Sequence, residues 1–166
     1  KEEIAQNMLL VDILKGIIEE KNVHVIATGG LSPQFHMVKN VIDSAKRVNE
    51  KIVTVVGGGI ISAEPAIAME ALECVDFGVI GEGEASMCEL AQALESGGDV
   101  AKVDGLIFKV GSIFKETNRR KDIANIDSIP WPDYEGFEIE KYLEVPPANF
   151  AGVNKSRIIC MLGSRS

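Results

Sequence analysis

Basic residues are scarce and scattered in this chain of 166 residues. Seventeen Lys and Arg face 25 Asp and Glu, for a formal net charge of −8, and no basic cluster is larger than Arg119-Arg120-Lys121. A nucleic-acid or anionic-membrane partner needs a basic face, so neither is expected. Long apolar runs are also missing. The most apolar stretch, Met8–Ile18, is broken by Asp12 and Lys15, so nothing reads as a membrane span. No signal peptide is visible. Cysteine is rare: Cys74, Cys88 and Cys160 are odd in number and widely spaced, and form neither a metal motif nor a disulfide framework. That pattern points to a reducing, cytoplasmic setting. Only two histidines occur, His24 and His36. There is no Ser/His/Asp set, no paired acid and base on one element, and no metal cluster. The chemistry visible in the residues is that of a binding domain, with no catalytic residue of its own.

What the chain does have is glycine placed after apolar strands. Ile52–Val56 is a short run rich in β-branched residues, suited to a strand buried on both faces. Gly57-Gly58-Gly59 follows directly, then a helix-like segment Ala63–Glu73 with Ser62 as its expected cap and Glu64 and Pro65 in the first turn. Phe77–Ile80 repeats the pattern and runs into Gly81-Glu82-Gly83-Glu84. Earlier, Val23–Ala27 leads to Thr28-Gly29-Gly30 and Leu31, with Ser32 expected to cap a helix carrying Pro33 at its first position. Its buried face is read as Val38, Val41, Ile42, Ala45 and Val48. A backbone without Cβ atoms turns sharply and lets a ligand lie flat against it. In an open parallel sheet the loops at the carboxyl ends of the strands form the ligand crevice. Three glycine turns on that one edge mark it as the candidate site.

The remaining segments fill in the frame. Lys1–Glu20 reads as an amphipathic helix, an unusual opening for a doubly wound sheet. Gly81–Glu84 leads into a helix with Met87, Leu90, Ala91 and Leu94 on its apolar face, stopped by Ser96-Gly97-Gly98. Val103–Lys109 and Ser112–Thr117 flank Val110-Gly111 as a β-hairpin. Asn118–Tyr134 is a polar connector in which Trp131, between Pro130 and Pro132, is expected to pin the segment to the body. Glu138–Leu143 reads as a helical turn, Pro146–Asn154 as a linker and Arg157–Leu162 as a strand-like run. Cys74 and Cys88 read as small apolar fillers, and Met37, Met69 and Met87 as core or crevice lining. His24 and His36 read as packing or surface residues.

The charge pattern narrows the ligand. A phosphate cradle pairs helix N-termini with basic or hydroxyl partners. Here Glu64, Glu82 and Glu84 stand at or near helix starts, with no Lys or Arg in the loops. Those carboxylates suit the helix dipole and repel a pyrophosphate. The G-x-G-x-x-G spacing is absent as well. A nicotinamide or flavin nucleotide is therefore disfavoured. A bulky ligand with many amides and little net charge fits better.

Four segments, VVGGGIISAEP (Val55–Pro65), DFGVIGEGE (Asp76–Glu84), GGDVAKVDGLIFK (Gly97–Lys109) and IDSIPWPDYEGF (Ile126–Phe137), resemble in order the amino-terminal part of cobalamin-dependent radical S-adenosylmethionine proteins. The resemblance implies an α/β fold: a flavodoxin-like (Rossmann-like) doubly wound parallel sheet, truncated at its amino end, plus a β-hairpin and an irregular carboxyl-terminal connector. The implied division is a partial cobalamin-binding domain over 1–100, a hairpin over 101–118, and a connector over 119–166. The connector leads toward a radical S-adenosylmethionine domain with an iron–sulfur cluster on a CxxxCxxC motif. LGSRS (Leu162–Ser166) resembles the strand just before those cysteines, so the chain is expected to be an excised fragment. By resemblance, Gly57 and Gly58, continued by Gly59, face the cobalamin nucleotide tail. Thr28, Gly29, Gly30 and Leu31 form the loop one strand earlier, and Gly81, Glu82, Gly83 and Glu84 the loop beside the same crevice. The DxHxxG cobalt-ligating motif and the first two strands of the family have no counterpart here. The implied role is a cobalamin-binding module of a methyltransferase-type radical enzyme, with S-adenosylmethionine and the cluster belonging to the parent. The alternative is a flavodoxin-like interaction or substrate-specificity module without a cofactor. An exposed edge at Val23–Ala27 implies a homodimer through that strand.

Overall fold

The computed structural model describes residues 2–143, with side chains from residue 8 onward. The expected linker Pro146–Asn154, the run Arg157–Leu162, Cys160 and LGSRS lie outside the described residues. One compact unit extends to Ala124 and a second begins at Asn125.

The first unit is an α/β sandwich. Helix α1 (Glu2–Lys21) precedes β1 (Val25–Gly29), a 3-10 turn (Ser32–Gln34) and α2 (Phe35–Val48). Then come β2 (Val53–Gly57), α3 (Gly59–Ala63), α4 (Pro65–Leu72), β3 (Phe77–Val79) and α5 (Glu84–Ser96). A 3-10 turn (Val100–Lys102) leads to β4 (Leu106–Val110) and β5 (Ile113–Glu116). The five strands form one sheet in the order β1-β2-β3-β4-β5. The first three are parallel, with Ala27 opposite Val55 and Val55 opposite Phe77. The hairpin joins the same sheet antiparallel to β3, placing Gly78 opposite Ile107.

Both faces of the sheet are covered. On one face Val38 and Ile42 of α2, Ile60 and Ile61 of α3, and Met69 and Leu72 of α4 pack on Val56 and Ile107. On the other, Leu90 of α5 packs with Val55, Val79, Leu106 and Phe108. Leu14 and Ile18 of α1 close a third cluster with Ala45, Ile52 and Ile26. The alternation of strand and helix, with β-branched residues buried on both faces, is what produces this two-sided packing.

Several local expectations are corrected. Neither Ser32 nor Ser62 is an N-cap. Leu31 caps the 3-10 turn, and the Gln34 side chain accepts the Leu31 amide at 2.7 Å. Ser62 lies inside α3, and Glu64 precedes α4, whose first residue is Pro65. The single helix expected over Ala63–Glu73 is therefore two, because Pro65 cannot donate the amide that would continue α3. The hairpin turns at Gly111-Ser112, since Val110 pairs with Ile113 and Gly111 supplies the positive φ of 63°. On α5 it is Ala93 that packs inward while Ala91 is exposed. The outer side of α1 leaves Met8, Leu9, Ile13 and Ile17 exposed. Cys88 and Met37 are exposed too, because each falls on the solvent side of its helix. Trp131 lies in the second unit and is 86% exposed.

In the second unit, a 3-10 turn (Ile126–Ser128) is capped by the Asn125 side chain, which accepts the Asp127 amide at 3.1 Å. Helix α6 (Ile139–Leu143) follows, close to the helical turn expected there.

Candidate functional site

The three glycine turns meet at the carboxyl edge of the parallel strands, as the topology requires. Both Gly29 and Gly57 still belong to the sheet ladder and stand opposite each other. The strands thus run to the first glycine of each turn, two residues beyond the expected end of β1 and one beyond that of β2. A Cβ on Gly29 would lie 2.7 Å from the Gly57 carbonyl oxygen, so the two strand ends approach closely only without side chains.

Hydrogen bonds stitch the turns in sequence. The Gly30 carbonyl accepts the Ile60 amide at 3.0 Å and so caps α3 at the second turn. Ser62 Oγ accepts the Gly81 amide at 2.9 Å, tying α3 to the third turn. The Glu82 carboxylate accepts the Ile123 amide at 2.6 Å, tying the third turn to the segment after β5. Positive φ values at Gly58 (78°) and Gly81 (77°) let the chain make the two sharp corners.

Between the turns lies a crevice of about 270 Å³. Its floor is apolar, from Ala27, Val55, Val79 and Met87. Its rim is Thr28 on the first turn, Gly57 and Gly58 on the second, and Gly81 and Gly83 on the third. Among the described residues, no charged side chain lines it. Of the eleven residues singled out from the sequence, these five meet around one space. The others stand back from it. Gly29 and Gly30 carry the close approach of the first two turns; Leu31 is 63% exposed and rests against Gly59. Glu82 is turned toward Ile123, and Glu84 occupies the first turn of α5. The floor residues Ala27, Val55 and Val79 were not singled out. Their signal was the strand alternation that places positions 55, 57 and 79 on one face.

The glycines divide by what a Cβ would meet. At Gly58, with φ of 78°, it would sit 3.0 Å from the Gly30 oxygen, so the backbone demands glycine there; at Gly59 its close contact would be Leu31 Cδ2 at 2.8 Å, the end of an exposed side chain that can move aside. At Gly57 it would meet Val79 Cβ only at 3.8 Å, and at Gly83 Val79 Cγ1 at 3.4 Å, both ordinary contacts. Neither has positive φ. These two glycines are not required by the backbone; what their missing side chains leave is space in the crevice.

Away from this edge, among the described residues, no cluster of His, Cys, Asp and Glu could hold a metal ion, and no helix is long and apolar enough to cross a membrane. His24 lies at the opposite end of the strands, where its carbonyl accepts the Val53 amide. His36 is exposed and packs edge-on against Phe35.

The fold and the crevice together define a doubly wound α/β domain with an apolar crevice at the carboxyl ends of its parallel strands, the place where such sheets bind ligands. The chain belongs to the B12 binding domain family, whose model matches residues 4–91. It is 30% identical over 139 residues to an uncharacterized methyltransferase of Pyrococcus horikoshii, an alignment covering 84% of this chain and 30% of that protein. Among solved structures it is similar to the radical S-adenosylmethionine methyltransferase TsrM from Kitasatospora setae with cobalamin and a 4Fe–4S cluster bound (TM-score 0.58, 24% identity, 65% of this chain and 22% of that one). It is likewise similar to the cobalamin-dependent S-adenosylmethionine radical enzyme OxsB with aqua-cobalamin bound (TM-score 0.62, 19% identity, 80% and 19%). The chain thus spans less than a third of the length of these relatives. The likeness to the two structures bears on the fold, the flavodoxin-like α/β class expected from the sequence.

Proposed function

We propose that this chain is the cobalamin-holding module of a cobalamin-dependent radical S-adenosylmethionine enzyme with methyltransferase-type chemistry. The observation that carries the reading is the pair Gly57 and Gly83. Both are glycine where the backbone tolerates a side chain, and both border an apolar, uncharged crevice. An amide-rich cofactor of little net charge fits such a surface, and the lack of a basic side chain speaks against a pyrophosphate. In this reading Thr28, Gly57, Gly58, Gly81 and Gly83 border the nucleotide tail, and Gly29, Gly30, Leu31, Gly59, Glu82 and Glu84 shape the turns around it. Cobalamin supplies a cobalt centre for methyl or radical transfer, and the module supplies position. S-adenosylmethionine and the iron–sulfur cluster belong to a radical S-adenosylmethionine domain in the same parent protein. Membership in the B12 binding family weighs against the cofactor-free interaction module.

The test is a titration of hydroxocobalamin into the full chain, followed by visible absorption and retention on a desalting column. Stoichiometric retention is expected, and Gly57→Leu, which fills the crevice, is expected to abolish it while the far-ultraviolet spectrum stays unchanged. Retention that survives Gly57→Leu would move the cofactor elsewhere. No retention by the unaltered chain would overturn the reading for this module.

A further inference from the structure

The third turn of the crevice is held from two sides. On the inner side its Gly81 amide donates to Ser62 Oγ. On the outer side the chain after β5 doubles back over the start of α5. The Asn118 carbonyl accepts the Gly105 amide at 2.8 Å, and the Gly105 carbonyl in turn accepts the Ile80 amide at 2.8 Å, one residue before the turn. Arg120 Nε donates to Ser86 Oγ at 2.9 Å, and its Nη2 pairs with the Glu89 carboxylate. Ser86 is fully buried and donates its own hydroxyl to the Asp104 carbonyl at 2.8 Å. Three residues after Arg120, the Ile123 amide reaches the Glu82 carboxylate.

We infer that Glu82 and Arg120 are positioning residues, which hold the third rim of the crevice through the strap Asn118–Ile123 and so set the crevice width for cobalamin. The affinity part of this inference rests on the function proposed above. The geometry behind it is specific. Glu82 sits between two crevice-lining glycines, Gly81 and Gly83, yet its carboxylate is engaged outside the crevice. Arg120 anchors the strap with a side chain only 19% exposed. Charge-assisted bonds from a carboxylate or guanidinium to half-buried partners are the stronger kind, so they hold a glycine-rich turn that has no side chains of its own to pack. The strap ends one residue before the boundary at Ala124. The chain leaving the module therefore starts at an anchor of the site.

Backbone amide exchange on the full chain tests this without any cofactor. Glu82→Ala removes the acceptor, and Ile123→Pro removes the donor while leaving Glu82 in place. Each is expected to speed exchange of the Gly81 amide, which donates to Ser62 Oγ, and of the Ile80 amide, which donates to the Gly105 carbonyl, about ten-fold or more, and to leave the core amides Val55 and Val56 unchanged. Glu82→Gln keeps an acceptor oxygen and is expected to restore near-native protection, a rescue that a general loss of stability would not give. Arg120→Ala is expected to act in the same direction as Glu82→Ala. In parallel, Glu82→Ala is expected to weaken hydroxocobalamin binding about ten-fold. Unchanged exchange at Gly81 and Ile80 in both Glu82→Ala and Ile123→Pro would overturn the inference. A faster-exchanging turn with undiminished cobalamin affinity would overturn its functional half. If the unaltered chain retains no cobalamin, the proposed function fails, and the exchange data still decide on the strap.

Discussion

A methyl group added at Gly78 would meet Ile107 Cγ2 at 2.6 Å, Ile61 Cγ2 at 3.0 Å and Met69 Sδ at 3.2 Å. Gly78 is thus the gap through which α3 and α4 come down onto β3. Gly78→Ala is expected to lower stability by about 1–3 kcal/mol through overpacking. Gly57→Ala should do the reverse: with ordinary φ and a free approach to Val79 it is expected to leave stability unchanged or raise it by up to about 1 kcal/mol, while narrowing the crevice and weakening hydroxocobalamin binding. Urea unfolding of the two variants, beside one binding titration each, separates the glycine the core needs from the glycine the ligand needs. Equal destabilisation by both would contradict the division. The cysteines make a similar contrast. Burial, followed by the neighbouring Asp43 carboxylate, pushes the Cys74 thiol above its usual value of 9.0, whereas Cys88 is exposed. Alkylation near neutral pH, resolved by peptide mass, is expected to label Cys88 about ten-fold faster than Cys74. The sign of the linkage follows from the raised value. The fold favours the protonated thiol, so the stability Cys74 contributes is complete below about pH 9 and is lost as pH rises through the folded-state value. Equal labelling of both peptides would refute this environment for Cys74.

At the scale of elements, the joint opposite the crevice fixes the register of the parallel strands. Asp76, just before β3, accepts the Thr54 amide of β2 at 2.8 Å and Lys46 Nζ of α2 at 2.6 Å on one oxygen, while its own amide donates to Thr54 Oγ1 at 3.1 Å. Thr54 is fully buried. Asp76→Ala leaves the Thr54 amide without that acceptor and is expected to cost about 1–3 kcal/mol, toward the low end because the half-exposed carboxylate is screened by water. Asp76→Asn, which keeps an acceptor, is expected to lose less; identical urea midpoints for both variants would show that the joint carries no stability. This joint also marks where the sequence stops being informative. The three strand–helix repeats, the residues Val38, Ile42, Leu90 and Met69 of the core, and the gathering of the glycine turns follow from short-range periodicity and from the topology of parallel strands. The caps do not. Ser32 and Ser62 stand at plausible capping positions, but the helices start elsewhere: the Gln34 side chain takes the Leu31 amide, and the Gly30 carbonyl takes the Ile60 amide of α3. The need for glycine at 78 depends on Ile107 of β4 as well as on Ile61 and Met69, and the turn of Glu82 away from the crevice and the seat of Arg120 on Ser86 depend on partners 41 and 34 residues distant in sequence. No local pattern encodes such pairs.

Across the whole molecule, the two edges of the sheet differ in how they are guarded. β5 (Ile113–Glu116) is short and carries Lys115 and Glu116, the kind of charged edge that discourages pairing. β1 (Val25–Gly29) reads VIATG, has no charge, and among the described residues pairs with β2 on one side only. Five residues of uncharged strand with a free ladder side form a template for another strand. The expected outcome is self-association through β1, weak enough to depend on concentration, since an edge of five residues buries little area. Sedimentation velocity over about a hundred-fold range of concentration would show it as a rising sedimentation coefficient, because dimerisation follows mass action. Amide exchange at the highest and lowest concentrations locates the contact: protection should grow with concentration at Val25–Gly29 and stay constant at Ile113–Glu116. A monomer at every concentration, with β1 amides exchanging at one rate throughout, would mean that the edge is closed by local twist or by residues outside those described. Growth of protection at β5 instead would reverse the assignment of the guarded edge. If β1 is confirmed, the strand that starts the first glycine turn is also the one that meets a partner, and addition of hydroxocobalamin, by ordering Thr28 and Gly29 at its end, is then expected to tighten the association.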